Sequence, residues 1–401
     1  MRDLYILLAT SFVRATAVSF LGVLLAIYLA EVGFSASEIG YVVGTGLAGA
    51  AVASLIAAFL GDRHGRKRMF VEIALLSGAG AAILAFSDSL LVVLIAAFVG
   101  MLNGMGRDRG PALVLDQAVL PGFLGQEERT RAFAIYNVLK DLGHALGALL
   151  AGTPSLLEKA VDLPAVDAQR VGIGLYVVAS LITALAYLSL SRQVELPPDL
   201  TVTGVTPQTR RTLWRISSLF AVDSVGSGFF TNALLSYFFF ERFGASAGAI
   251  GVLFFLARIA NAASCFAAAW LARRIGLLNT MVFTHIPSSL LLVLVAFAPT
   301  YPIAAVLFLL REALVEMDVP TRASYVMAVV EPNERTLASG VTSLARTAGW
   351  AVSPFFAGIL MHNVSLATPL LVGAAIKIAY DLALFLAFRN LRPREELQRV
   401  T

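Results

Sequence analysis

Charge is scarce in this sequence and cysteine is almost absent. Only 14% of the 401 residues are charged, against about a quarter in an ordinary soluble domain. With 58% hydrophobic residues and a mean hydropathy of +0.81, too little polar side chain remains to cover a soluble surface. The single Cys265 lies inside an apolar stretch, so neither an internal disulfide nor a cysteine-based zinc site can form. His64, His144, His285 and His362 are scattered without metal-ligand spacing, and no G-x-S-x-G elbow is present. Catalysis, a metal and a cofactor are therefore not expected. Long polar segments are missing too. At about 20 apolar residues per crossing, the chain has room for about a dozen spans and no large extramembrane domain. The net charge of +4 and pI near 9.3 do not argue for nucleic acid, because Lys and Arg of a polytopic protein gather in cytoplasmic loops.

Apolar runs separated by charged breaks predict twelve spans, at residues 4–30, 38–60, 69–86, 90–120, 130–152, 172–190, 214–240, 247–271, 279–298, 302–330, 336–361 and 368–388. They lack the two-residue alternation of barrel strands, and lipid admits only helices or closed barrels. An all-α membrane protein is expected. The first run is too long for a signal-peptide core and lacks a small-residue cleavage pattern, so it reads as a retained span. Arg63, Arg66, Lys67 and Arg68, then Arg192, Arg210, Arg211 and Arg215, then Arg273 and Arg274, and finally Arg389, Arg392, Arg394 and Arg399 all fall on one side if the spans alternate. That places both termini in the cytoplasm. The polar stretch between spans six and seven contains Pro197, Pro198 and Pro207. It divides the chain into a six-helix bundle at 1–190, a linker at 191–213, and a second bundle with a short tail at 214–401.

The two halves repeat. A shift of 211 positions superimposes Gly33, Ser35, Ala36, Ile39 and Gly40 on Gly244, Ser246, Ala247, Ile250 and Gly251, and Arg63 and Gly65 on Arg274 and Gly276. A shift of 206 superimposes Glu128, Arg129, Thr130 and Ala132 on Glu334, Arg335, Thr336 and Ala338. It also matches Lys140, Gly143, Ala151 and Gly152 with Arg346, Gly349, Ala357 and Gly358. Parallel repeats of this kind place a pathway at their interface, where one half rocks against the other.

Between spans two and three stands Gly61-Asp62-Arg63-His64-Gly65-Arg66-Lys67-Arg68, which resembles the G-x-x-x-D-R-x-G-R-[RK] loop of the major facilitator superfamily. The resemblance covers nearly the whole chain and implies that superfamily's twelve-helix fold, in two pseudo-symmetric six-helix bundles. It further implies that Asp62 caps the start of span eleven near Thr336, and that Arg66 pairs with an acid at the cytoplasmic end of span four, where Asp116 lies. Asp62, Arg63, Arg66 and Asp116 are then the gating residues; the alternative is that the cations only anchor the topology. Gly143 and Gly147 in span five are loosely similar to the glycine motif of the superfamily's drug/proton antiporters, with the proline displaced to Pro154. The same spacing also serves close helix packing.

Charges inside spans cost roughly 2.5 to 3.5 kcal/mol even on a lenient scale, so they face a cavity or a partner. Here they are Arg14, Arg107, Asp108, Arg109, Lys140, Asp141, His144, Asp223, Arg258, Arg311, Glu312, Glu316, Asp318, Arg322 and Arg346. They concentrate on spans one, four, seven and ten, which line the cavity in the superfamily, and on five, eight and eleven. Arg14, Lys140 and Arg346, with Asn232 and Arg258, are the expected substrate contacts; symmetric cations suit a carboxylate or phosphate. Asp108, Asp223, Glu312 and Glu316 are the expected proton sites, because a desolvated carboxylate can load protons near neutral pH. Each of these residues has a competing reading as half of a structural ion pair. Lys377 and Asp381, four apart on span twelve, are expected to pair with each other.

The expectation is a multi-pass secondary transporter of the plasma membrane, the inner membrane in a bacterium. It would act as a monomer by alternating access and move a small organic, anionic solute outward by proton-coupled antiport. An uptake carrier or proton-independent exchanger is the alternative, and a lipid-modifying membrane enzyme the more distant one. The lipid bilayer, the solute and protons are its expected partners.

Overall fold

The computed structural model describes residues 2–123, 126–195, 207–317 and 335–388, and among these residues the chain is helical and contains no strand. The first helices are α1 (Arg2–Val32), α2 (Ala36–His64), α3 (Arg66–Phe86), α4 (Leu90–Gly100), α5 (Pro111–Val119), α6 (Gln126–Leu150), α7 (Thr153–Val161) and α8 (Ala165–Leu188). They are followed by α9 (Pro207–Gly228), α10 (Asn232–Phe243), α11 (Ala247–Ile275), α12 (Leu277–Ala296), α13 (Tyr301–Val315), α14 (Arg335–Asn363) and α15 (Thr368–Phe388). Seven helices among the described residues are long and apolar enough to cross a membrane, and with the shorter apolar ones they fit the expected twelve-helix bundle. Asp318, Pro320 and Arg322 of span ten lie outside the described residues.

Two expected spans are not continuous helices. Span four divides into α4 and α5, separated by an irregular stretch at 101–110. Met101 closes α4 in the left-handed conformation (φ 52°) and donates its N–H to Ala97 and Phe98. Gly106 also has positive φ (65°), and Pro111 opens α5 at its first turn, where a missing N–H costs nothing. Span seven divides into α9 and α10 at Phe229–Thr231, where the Thr231 hydroxyl accepts the Leu234 N–H at 3.3 Å as the cap of α10. The apolar composition of both spans conceals the breaks from a hydropathy reading.

Contacts group the chain into two compact units. One comprises Met1–Leu200, Thr231–Phe255 and Pro354–His362; the other comprises Thr201–Phe230, Leu256–Ser353 and Asn363–Thr401. Within the first, α1 packs on α6 and α8, and α3 on α4 and α8. Within the second, α12 packs on α13 and α15, and α9 on α15.

The repeat read from the sequence is realised in backbone geometry. Gly33 and its mate Gly244 both have positive φ (103° and 62°), as do Gly65 and Gly276 (97° and 86°). Gly143 of α6 crosses α1 so closely that a Cβ there would stand 2.7 Å from the Phe12 carbonyl. Its mate Gly349 crosses α9 in the same way, 2.7 Å from the Ala221 carbonyl. Inside the first unit, a Cβ on Gly40 would stand 2.7 Å from the Gly358 Cα, and one on Gly251 would stand 3.6 Å from the Gly152 nitrogen. These are the same two repeat positions with the halves exchanged. Small residues allow such approach where lipid supplies no hydrophobic drive between helices. Gly143→Val should therefore destabilise the protein by about 1–3 kcal/mol through overpacking. Gly174→Ala, at a glycine with nothing within 4 Å, should not. Thermal midpoints of the two purified variants check the contrast.

Candidate functional site

A break in a buried helix releases backbone groups that lipid cannot satisfy, and the polar residues around span four meet that demand. The Asn103 side chain donates to the Arg107 carbonyl at 2.7 Å and accepts the Met105 N–H at 2.8 Å. From α6, Lys140 Nζ donates to the Asp108 carbonyl at 3.0 Å, and His144 Nε2 accepts the Asp108 N–H at 2.8 Å. That acceptor role leaves the His144 hydrogen on Nδ1. The Ala233 N–H, at the start of α10, donates to the Gly104 carbonyl at 2.9 Å. The two broken spans are thus bonded to each other at their breaks. Asn232 packs directly on Gly106 there, where a larger residue would collide with it.

Arg14 stands at the centre of this region. Its Nε donates to Asp108 Oδ2 at 2.9 Å, Nη2 to Asp116 Oδ2 at 2.5 Å, and Nη1 to the Tyr187 hydroxyl at 2.5 Å. Tyr136 on α6 donates to the same Asp116 oxygen at 2.7 Å. One guanidinium on α1 therefore holds an aspartate of the irregular stretch, an aspartate of α5 and a tyrosine of α8. Two cations, Arg14 and Lys140, meet two anions, Asp108 and Asp116. Asp116 is fully buried and its Oδ1 has no hydrogen-bond partner. Beside the network lies a mostly apolar cavity of about 60 Å³, with Arg14, Asp108, Asn103, Tyr176, Thr183 and Tyr187 among the polar members of its wall. That is room for a few waters.

The second unit buries its own polar groups. Asp223 on α9 accepts from Lys377 Nζ at 2.7 Å, and Lys377 also donates to the Ser227 hydroxyl at 3.0 Å. Asp381 meets the His285 ring at 2.8 Å. Lys377 and Asp381 do share a helix face, but each has a partner on another helix, which the four-residue spacing alone did not reveal. Glu312 on α13 is paired with the adjacent Arg311 and accepts from Asn261 Nδ2 at 2.9 Å. Arg311 also lies over the Phe230 ring, 5.0 Å from its centre. Arg346 reaches the Ser224 hydroxyl at 3.4 Å and lies over Trp350 at 4.9 Å. Arg258 and Glu316 are half-buried.

At the loop between α2 and α3, Arg66 is buried and bonds Asp62 Oδ1 at 2.7 Å. The expected pairing of Arg66 with Asp116 is not made, because Asp116 is turned to Arg14 and Tyr136. Instead Glu195, in a 3-10 turn after α8, accepts the Arg66 N–H at 2.6 Å and the Lys67 N–H at 3.1 Å. A carboxylate on the first N–H groups of α3 is favoured by the helix dipole. Gly65, with its positive φ of 97°, makes the turn that presents those groups. Arg63 is exposed.

Sequence reasoning missed Tyr136, Tyr187, His285 and Glu195. Tyr136 had a signal, since it lies four residues before Lys140 and presents its ring 5.3 Å below that ammonium. The others are brought in by tertiary packing.

Comparison with known proteins places this geometry in a family. The model of the Major Facilitator Superfamily matches residues 7–354 and 216–400. A Saccharomyces cerevisiae protein named "Uncharacterized membrane protein YJR124C" is 26% identical over 424 aligned positions, covering 96% of this chain and 94% of its own length. Among solved structures, the nucleoside transporter NupG has a TM-score of 0.73 at 15% identity, covering 97% of this chain and 100% of its own. A bacterial homologue of the human lysosomal transporter Spinster, inward-facing and unoccupied, has a TM-score of 0.70 at 14% identity, with 96% and 94% covered.

Removing Arg14 leaves two buried carboxylates without their cation, a loss that costs about 3–5 kcal/mol. Arg14→Met should therefore lower the thermal midpoint sharply. Adding Asp108→Asn and Asp116→Asn should restore most of it, because the charges being neutralised are those left unpaired. A near-neutral Arg14→Met would contradict the network.

Proposed function

Because the chain belongs to the major facilitator superfamily, we propose that it is a secondary active transporter of the plasma membrane that exports a small organic anion by alternating access, coupled to proton movement. The observation that carries this reading is the single guanidinium of Arg14 shared by Asp108 and Asp116 across a broken span, beside a small cavity that both Arg14 and Asp108 line.

In such a site, charge and proton occupancy are linked. While both carboxylates are ionised they hold Arg14 between them. Both contacts that Asp108 accepts from Arg14 fall on Oδ2, which leaves Oδ1 to take a proton arriving through cavity water. Protonation removes one of the two anions and weakens the hold on the guanidinium, which is then able to meet an anionic group of the solute. Loss of the proton restores the pair and displaces the solute. The buried setting strengthens both states of this competition, since charge interactions are less screened there than in water. Irregular backbone and half-helix ends are where carriers place ions and substrate, and Asn232 stands at that junction. Lys140 adds a second cation to the same network. Asp62, Arg63 and Arg66 belong to the cytoplasmic gate, with Glu195 fixing the start of α3.

Proteoliposomes loaded with a pH-sensitive dye test the reading. Addition of a transported organic anion should change the lumen pH in the wild type. Asp108→Asn should abolish that proton movement while solute counterflow persists. Counterflow without any pH change in the wild type would instead identify a proton-independent exchanger and overturn the coupling.

A further inference from the structure

His285 was unremarkable in the sequence, a lone histidine in an apolar run. In the structure it is a ring with a buried carboxylate at each nitrogen. It lies on α12 and is 2% exposed. Its Nδ1 stands 2.8 and 3.0 Å from the two oxygens of Asp381, and its Nε2 faces Asp223 Oδ1 at 3.9 Å. The same Asp223 oxygen accepts from Lys377 at 2.7 Å. All of these groups belong to the second unit.

A carboxylate can only accept, so the bond to Asp381 fixes a hydrogen on Nδ1. The neutral ring then points the lone pair of Nε2 at the carboxylate of Asp223. One added proton converts that lone pair into an N–H donor and turns repulsion into attraction. At 3.9 Å the contact is too long for a direct hydrogen bond, leaving distance that a small ring rotation or a bridging water would close.

Among the described residues, the neighbouring elements supply further charged and aromatic groups. From α9 comes Asp223. From α15 come Lys377 and Asp381, with the Tyr380 ring 6.2 Å from the imidazole. From α13, which also packs on α12, come Arg311 and Glu312, which are bonded to each other. Arg346 of α14 is bonded to Ser224 of α9.

We infer that His285 is a proton-binding site of the second unit, separate from the Arg14 network. The ring keeps its Nδ1 hydrogen on Asp381 and takes a second proton at Nε2. A new N–H bond forms there as an O–H bond of hydronium breaks and leaves water, and the reverse step returns the proton to water. The use of this site in coupling rests on the transport reading above; the protonation itself does not.

The experiment therefore needs no substrate. In the intact purified protein labelled with 15N-histidine, the His285 ring should pass between the singly and doubly protonated patterns between about pH 5 and 8, the range in which histidine switches. His285→Gln assigns the signal by its loss. If that variant does not fold, His64→Gln and His362→Gln remove the rings outside the buried clusters and leave only His144 and His285 to be told apart. Asp381→Asn should then change the His285 titration and leave that of His144 in place. A His285 ring that keeps one protonation state throughout, or a titration indifferent to Asp381→Asn, would overturn the site. Coupling could still operate through Asp108 in that case, so the two readings fail separately.

Discussion

Lipid does not solvate charge or unpaired backbone, and the first unit answers both demands with the same few side chains. Once span four breaks at 101–110, the freed backbone at Asp108 needs a donor and an acceptor, which Lys140 and His144 of α6 provide. The carboxylate of Asp108 then needs a cation, and Arg14 provides it while also holding Asp116 and Tyr187. The irregular backbone requires the polar residues, and the polar residues are tolerable only because the irregular backbone and the cavity receive them. A continuous helix in place of α4 and α5 would take away the Asp108 carbonyl and N–H that Lys140 and His144 bond.

The repeat makes the same point in the opposite sign. Phe12 and Ala221 play equivalent parts beneath Gly143 and Gly349, and by that register Arg14 of α1 corresponds to Asp223 of α9. The first unit buries a cation there and surrounds it with acids. The second buries an acid and surrounds it with Lys377 and His285. The backbone crossings are retained between halves while the charge is inverted, which shows that glycine spacing and charge placement are separable features. Crossing geometry depends on the absence of a Cβ. Charge balance depends only on the sum within each closed group.

Much of the fold was legible because its signals are local. Apolar run length identified the spans, and glycines with positive φ recur at repeat positions already visible in the sequence. The breaks were less legible. Gly104, Gly106, Gly110 and Pro111 are turn residues, but hydropathy averages over them. Candidate site residues were legible as a set, because any charge in a span attracts attention. Their pairing was not. Asp116 was matched to Arg66 by resemblance, yet it bonds Arg14, and Lys377 and Asp381 were matched by helical spacing, yet α9 and α12 supply their partners.

What the sequence determined by itself is therefore the membrane setting, the helical class, the repeat and the roster of buried charges, since each depends on composition and on spacing along one chain. Only the tertiary structure decided which charge neutralises which, where the spans break, and that Tyr136, Tyr187, His285 and Glu195 belong to the polar groups. Those outcomes depend on distances between helices far apart in the chain. An ion pair is selected by whichever counter-charge the fold brings within reach, and no periodicity within a single helix encodes that.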